Sequence, residues 1–241
     1  MTGTIRVGER PVGIALDTGA GLAFTANADG GDLSVIDLGT GVVLYALPVP
    51  GRPSAVAADG DGVVYVADGE GRRVYGIDVT TGERTASFKV GRHPRGLAVD
   101  ADLGRLYVAV GDGVSVLDTR TGARLDRLAL PGVTDLAVDP DTHELWLVGA
   151  EPGTVSHLDP ATGDLTVLTY GDAVATGLDV DGHRNRLYLA TGGLRELDLD
   201  SGELRGFAVD GRPTAVRVDP HSRIAYLVDP EANLVTALGI G

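Results

Sequence analysis

Apolar residues in this chain fall in short blocks, with neither a helical period nor a strict in-out alternation. Blocks such as Gly13–Asp17 (GIALD), Leu22–Asn27 (LAFTAN) and Leu106–Val110 (LYVAV) are bounded by Gly, Asp, Pro or Thr. Short, near-continuous apolar runs rich in β-branched and aromatic residues predict strands buried on both faces. No long window carries the spacing of an amphipathic helix, so an all-β chain is expected.

The blocks repeat. A glycine opens each of six copies, at Gly8, Gly51, Gly91, Gly132, Gly171 and Gly211, with steps of 43, 40, 41, 39 and 40 residues. A period in this range marks a repeat architecture. Each copy predicts four strands. The first ends in aspartate (Asp17, Asp59, Asp100, Asp139, Asp181, Asp219), and the second carries an aromatic residue (Phe24, Tyr65, Tyr107, Trp146, Tyr188, Tyr226). The third runs into an aspartate before a Thr-Gly or Ser-Gly turn in five copies (Asp37, Asp78, Asp118, Asp159, Asp198), and a less regular fourth closes the copy. The aromatic column reads as the wedge between units. The third-strand aspartates read as acceptors for turn amides.

Several four-stranded repeats give a β-propeller. The sixth copy stops after its third strand, and Thr4–Val7 before Gly8 supplies the missing one. The expected fold is therefore an all-β, six-bladed β-propeller of four-stranded antiparallel blades, its ring closed by the N-terminal strand completing the last blade. One domain over 1–241 is expected, with blades at about 8–50, 51–90, 91–131, 132–170, 171–210, and 211–241 plus 2–7.

The segments VGERPVGIALD (Val7–Asp17), FTAN (Phe24–Asn27) and LSVIDLGTG (Leu33–Gly41) carry a further signal, repeated in VGRHPRGLAVD (Val90–Asp100) and VSVLDTRTG (Val114–Gly122). They resemble the blade pattern of the YVTN-repeat β-propellers over the whole chain. The resemblance implies the architecture; such propellers serve as surface proteins, binding modules and enzymes, so it leaves the activity open.

A net charge of −14 argues against general binding to nucleic acid or anionic membranes. There is no cysteine, hence no disulfide or thiolate metal site. No apolar run reaches the roughly 20 residues of a membrane helix. The start, MTGTIRVGER, lacks a signal-peptide core, so a cytoplasmic monomer without a cofactor is expected. His143, His183 and His221 fall in equivalent turns of copies four to six and read as solvated rim residues rather than metal ligands.

Candidate chemistry emerges where the copies disagree. First strands should line the central channel. One column there reads Gly13, Ala55, Gly96, Asp135, Gly177, Ala215, and two residues on it reads Ala15, Ala57, Ala98, Ala137, Asp179, Arg217. A third-strand column behaves likewise: Val35, Gly76, Val116, then His157, Glu196, Thr236. Charges in a crowded centre are costly unless paired, and local rules tend to break where function or strain requires it. Asp135 and Asp179 are candidate general bases raised by burial, with Arg217 to hold a developing oxyanion and His157 and Glu196 as further catalytic candidates. The competing reading is an Asp179–Arg217 ion pair that locks neighbouring blades.

A second asymmetry lies at the channel mouth. The residue entering each first strand reads Arg10, Arg52, His93, Gly132, Val174, Arg212, a basic arc on an acidic protein. Arg10, Arg52, His93 and Arg212 are candidate ligand-binding residues; salt bridges to nearby loop acids are the alternative. Three function classes stand: a propeller binding a small organic molecule or peptide at its channel mouth, a small lyase, isomerase, cyclase or hydrolase with an acid–base site near blades four to six, and a structural module.

Overall fold

A computed structural model describes residues 3–149 and 151–241. Six four-stranded antiparallel sheets form the blades of a propeller. The first strands are Pro11–Asp17, Pro53–Ala58, Gly96–Asp100, Val133–Val138, Gly177–Asp181 and Ala215–Asp219. Each touches the first strand of the next blade, and that of blade 6 touches blade 1, so together they form the wall of a central channel. Among the described residues, the only helical element is a 3-10 turn, Gly182–Arg184, and no helix is long and apolar enough to cross a membrane.

Closure follows the expected route, shifted by one residue. Gly3–Arg6 pairs antiparallel with Leu234–Gly239, Ile5 facing Val235, and completes blade 6. Hydrogen bonding first and last blades through one sheet removes two open edges. Ile5 then packs with Ile14, Ala23, Ile36 and Tyr226, which sews blade 6 to blade 1.

The core is six clusters, each shared by two neighbouring blades. The aromatic column supplies one wedge to each: Phe24 between blades 1 and 2, Tyr65 between 2 and 3, Tyr107 between 3 and 4, Trp146 between 4 and 5, Tyr188 between 5 and 6, and Tyr226 between 6 and 1. All six are buried. Burial on both faces explains why the second strands carry apolar runs without alternation.

The third-strand aspartates hold the outer turns. Asp37 accepts from the Thr40 amide and hydroxyl at 2.7 Å each, and Asp78 accepts from the Thr80 and Thr81 amides at 2.8 Å. These bonds favour the charged form and lower the Asp37 and Asp78 pKa values. The glycine closing the turn takes a left-handed conformation (φ 69° at Gly41, 71° at Gly82), which explains the recurring Thr-Gly.

Candidate functional site

Three cavities along the propeller axis touch the candidate residues; a fourth, of about 390 Å³ and lined by Asp17, Asp59, Asp100 and Asp102, adjoins the lowest of them. The first is a throat of about 40 Å³, wide enough for a few waters and too narrow for an organic substrate. One equivalent position of every blade lines it, at Val12, Ser54, Arg95, Thr134, Thr176 and Thr214, with inner-strand neighbours such as Gly13 and Ala55. Asp135 and Arg217 form its floor. Below lies a funnel of about 260 Å³, walled by Ala15, Ala57, Ala98 and Ala137, with Asp179 and Arg217 completing that ring. Arg217 touches both spaces and divides them.

The charged floor is a connected cluster. Arg217 Nη1 donates to the Leu178 and Val216 carbonyls at 2.7 Å each and reaches Asp135 Oδ2 at 3.4 Å. Asp135 Oδ2 also accepts from the Leu178 amide at 3.2 Å. Asp179 Oδ2 accepts from the Val218 amide at 2.7 Å. Each carboxylate thus grips the inner strand of the next blade, which offsets part of its desolvation cost. Burial raises the Asp135 carboxyl, offset in part by Arg217. Burial likewise raises Asp179 to about 6, again against the pull of Arg217. Burial disfavours the charge on Arg217, yet Asp135 and Asp179 hold its pKa above the ordinary value.

The expected Asp179–Arg217 lock is corrected. The ion pair links blades 6 and 4, Arg217 to Asp135, while Asp179 pairs with backbone. The physical reason is reach: Arg217 shares a level with Asp179, but its guanidinium extends to the level above.

His157 and Glu196 do not join this cluster, because the third strand lies two strand spacings out from the channel wall, with the second strand between them. His157 stacks on Trp146 at a centroid distance of 4.2 Å, and its Nε2 meets Glu144 Oε2 at 2.9 Å. Glu196 sits opposite Tyr188, 3.9 Å from Arg186 Nε. Both are corrected to residues packed between or beside blades. The rim histidines are each matched to an acid: His143 to Asp100 (3.0 Å), His183 to Asp141 (3.0 Å) and His221 to Asp219 (3.7 Å). Among the described residues, no group of three or more His, Asp or Glu side chains is arranged to hold a metal ion.

The third space is a basin of about 440 Å³ at the mouth where the chain enters its first strands. Arg10, Arg52 and His93 line it, with Pro53, Pro94 and Val12 as apolar wall. Arg212 does not; it lies in the blade 6 loop, where its backbone amide donates to Asp229 at 2.8 Å. The missed cation is Arg95, which lines both basin and throat. Its signal was present in the sequence: Val12, Ser54, Arg95, Thr134, Thr176 and Thr214 form one column, and a single member is charged. The expected acids are partly engaged. Asp29 accepts from Arg52 at 2.7 Å and lies 3.8 Å from Arg10, while Glu70 stands 4.0 Å from Arg52. The Arg52 hydrogen bond lowers the Asp29 carboxyl below its usual range.

No family model matches the chain, and no curated protein does either. Among solved structures, the chain is similar to the hydrazine synthase of Kuenenia stuttgartiensis, with 17% identity, 96% of each chain covered and a TM-score of 0.78. It is also similar to the Cps50 (Swd1) β-propeller domain of Myceliophteria thermophila, with 12% identity, 100% of each chain covered and a TM-score of 0.78. At these identities the likeness is one of fold: an all-β, six-bladed propeller of four-stranded antiparallel sheets with almost no helix.

Proposed function

We propose that this propeller binds a small organic molecule at the basic mouth of its channel. The observation that carries the reading is the convergence of Arg10, Arg52, His93 and Arg95 on one cavity of about 440 Å³ with proline and valine walls. A concave, partly apolar space with a few convergent polar groups is the usual form of a ligand site. A volume of that order accommodates a metabolite-sized molecule, whereas the throat below it does not. The blade pattern further supports placing the chain with the YVTN-repeat propellers, a family whose members differ in activity. The test is mass spectrometry of a metabolite extract after incubation with the parent and with an Arg52→Ala, Arg95→Ala double variant. A compound retained by the parent and not by the variant supports the reading; no difference in retained compounds counts against it.

A second reading, an acid–base enzyme, is favoured by one observation. Asp179, raised to about 6, lines the lower funnel beside Arg217. At neutral pH this carboxylate is ionised and more basic than an ordinary aspartate, suited to removing a proton next to a carbonyl. Only Nη1 of Arg217 has a partner among the described residues, so its other nitrogens are free to hold the resulting oxyanion. In the same extract, a compound consumed by the parent and spared by Asp179→Asn establishes this chemistry.

A further inference from the structure

Resting on the reading of the basic mouth as a ligand site, we propose that its ligand is an organic oxyanion, a carboxylate or phosphate, anchored by Arg95. The arrangement of charge in the basin favours an anion at Arg95. The acids nearby gather around Arg52 and Arg10: Asp29 bonds Arg52 and lies near Arg10, Glu70 stands by Arg52, and Asp68 accepts the Arg52 amide. Among the described residues, Arg95 makes no ion pair and no side-chain hydrogen bond, so its planar fork is free to take an oxyanion through two parallel bonds.

The throat hydroxyls compete weakly with Arg95 for an anion. Ser54 Oγ donates to the Pro94 carbonyl at 2.7 Å, Thr134 Oγ1 to Val148 and Thr176 Oγ1 to Ala190, both at 3.3 Å. The short Ser54 bond commits its proton, whereas the 3.3 Å contacts of Thr134 and Thr176 are weak and Thr214 makes none among the described residues. Neutral hydroxyls are weaker anion donors than a guanidinium, so the anion sits over Arg95 at the top of the throat, with the rest of the molecule in the basin.

Backbone geometry adds a separate observation. Arg10 and His93 hold φ of 51° and 53°, each directly before a proline. Residues before proline are normally extended, and non-glycine residues at positive φ are uncommon, so both positions are strained. Non-glycine residues at positive φ also stand in turns at Arg72, His143 and Arg223, so the conformation marks a tight loop turn that its surroundings hold in place. Asn233 Oδ1 does so for Arg10 by accepting its amide at 2.7 Å.

The experiment titrates the parent with inorganic phosphate and, separately, with succinate at low salt, read by calorimetry and by amide shifts. Binding of at least one anion is expected, with shifts at Ser54, Gly69 and Gly96, and the preferred probe decides between phosphate and carboxylate. Arg95→Ala should weaken binding about tenfold or more, and Arg95→Lys by less, because charge survives and the fork does not. Asp29→Asn should strengthen it roughly threefold by releasing Arg10 and Arg52. Arg124→Ala, on the outer strand of blade 3, changes net charge equally and should change nothing. Equal weakening by Arg124→Ala and Arg95→Ala, or no binding of either anion, overturns the proposal. Neutral fluorinated fragments provide the separating arm. If they shift the basin amides while both anions fail, ligand binding at the mouth survives and its anionic class falls; if they fail too, both readings fall.

Discussion

Arg217 and Asp135, 82 positions apart in sequence, meet at 3.4 Å across the centre of the propeller and join blade 6 to blade 4 without passing through blade 5. The pair is shielded, with side chains 15% and 14% exposed. Because the same guanidinium nitrogen bonds Leu178 O, blade 5 is held in the same cluster. Three blades that each replace one of the two small channel residues found in blades 1 to 3 are thus tied through one side chain. An ion pair in this setting adds little stability over an apolar core, but losing one partner is costly.

Replacement of Arg217 by methionine should therefore cost about 3–5 kcal/mol near neutral pH, since Asp135 and Asp179 remain without a cation. The loss should shrink on acidification. Removing Arg217 lifts both carboxyls further above their unfolded values, so they are neutral and tolerated at low pH and ionise as pH rises. Urea denaturation of parent and variant at several pH values checks both the cost and its slope.

Asp179 carries its own pH signature. Its folded value of about 6 lies above the ordinary 3.8. The neutral carboxyl therefore stabilises the fold fully below 3.8, and that contribution is lost as pH rises through about 6. Ionised Asp179 then costs on the order of 3 kcal/mol. Asp179→Asn keeps an acceptor for the Val218 amide and cannot ionise. The variant should gain stability over the parent as pH rises from about 4.5 to 7.5, and the gain should vanish at the acid end. A constant difference across that range contradicts the buried-carboxyl account.

The fold was legible because its signals repeat. Six aromatic wedges, five aspartate-capped turns and one orphan N-terminal strand all pointed to the same ring. The charged floor was legible as a departure, since Asp135, Asp179 and Arg217 stand where other copies hold Gly or Ala. Pairing within the floor was not, because it depends on how far a guanidinium reaches between levels of neighbouring strands. His157 and Glu196 occupy a genuine column, but column membership does not report distance from the axis. Arg95 is obscured for a different reason. Copies 1 and 3 carry one extra residue before the proline, which puts His93 at the strand entrance and Arg95 beyond the proline, at the next channel-facing position.

Closeness of the inner strands sets the third prediction. A Cβ on Gly177 would lie 2.8 Å from both Ala215 Cα and Thr214 O, backbone atoms that cannot move aside. The matching Gly13 would place its Cβ 3.5 Å from Ala55 Cα, an ordinary contact. Gly177→Ala should cost roughly 1–3 kcal/mol through overpacking, while Gly13→Ala should be near neutral. Thermal unfolding of the two variants side by side tests whether blades 5 and 6 approach more closely than blades 1 and 2.

The closing strand offers the last test. Ile5 is 8% exposed and packs across the junction of blades 6 and 1, while its backbone pairs with Val235. Ile5→Ala removes most of the only strongly buried side chain on Gly3–Arg6, whose other positions are exposed. A loss of roughly 2–5 kcal/mol is expected from the lost contacts and the cavity left behind. Detachment of this strand would reopen the edge of Leu234–Gly239, so its amides should exchange faster while those of blade 3, on the far side of the ring, stay protected. Uniform acceleration in all six blades would instead mean that the ring opens only when the whole molecule unfolds, and that closure is one cooperative unit with the rest of the propeller.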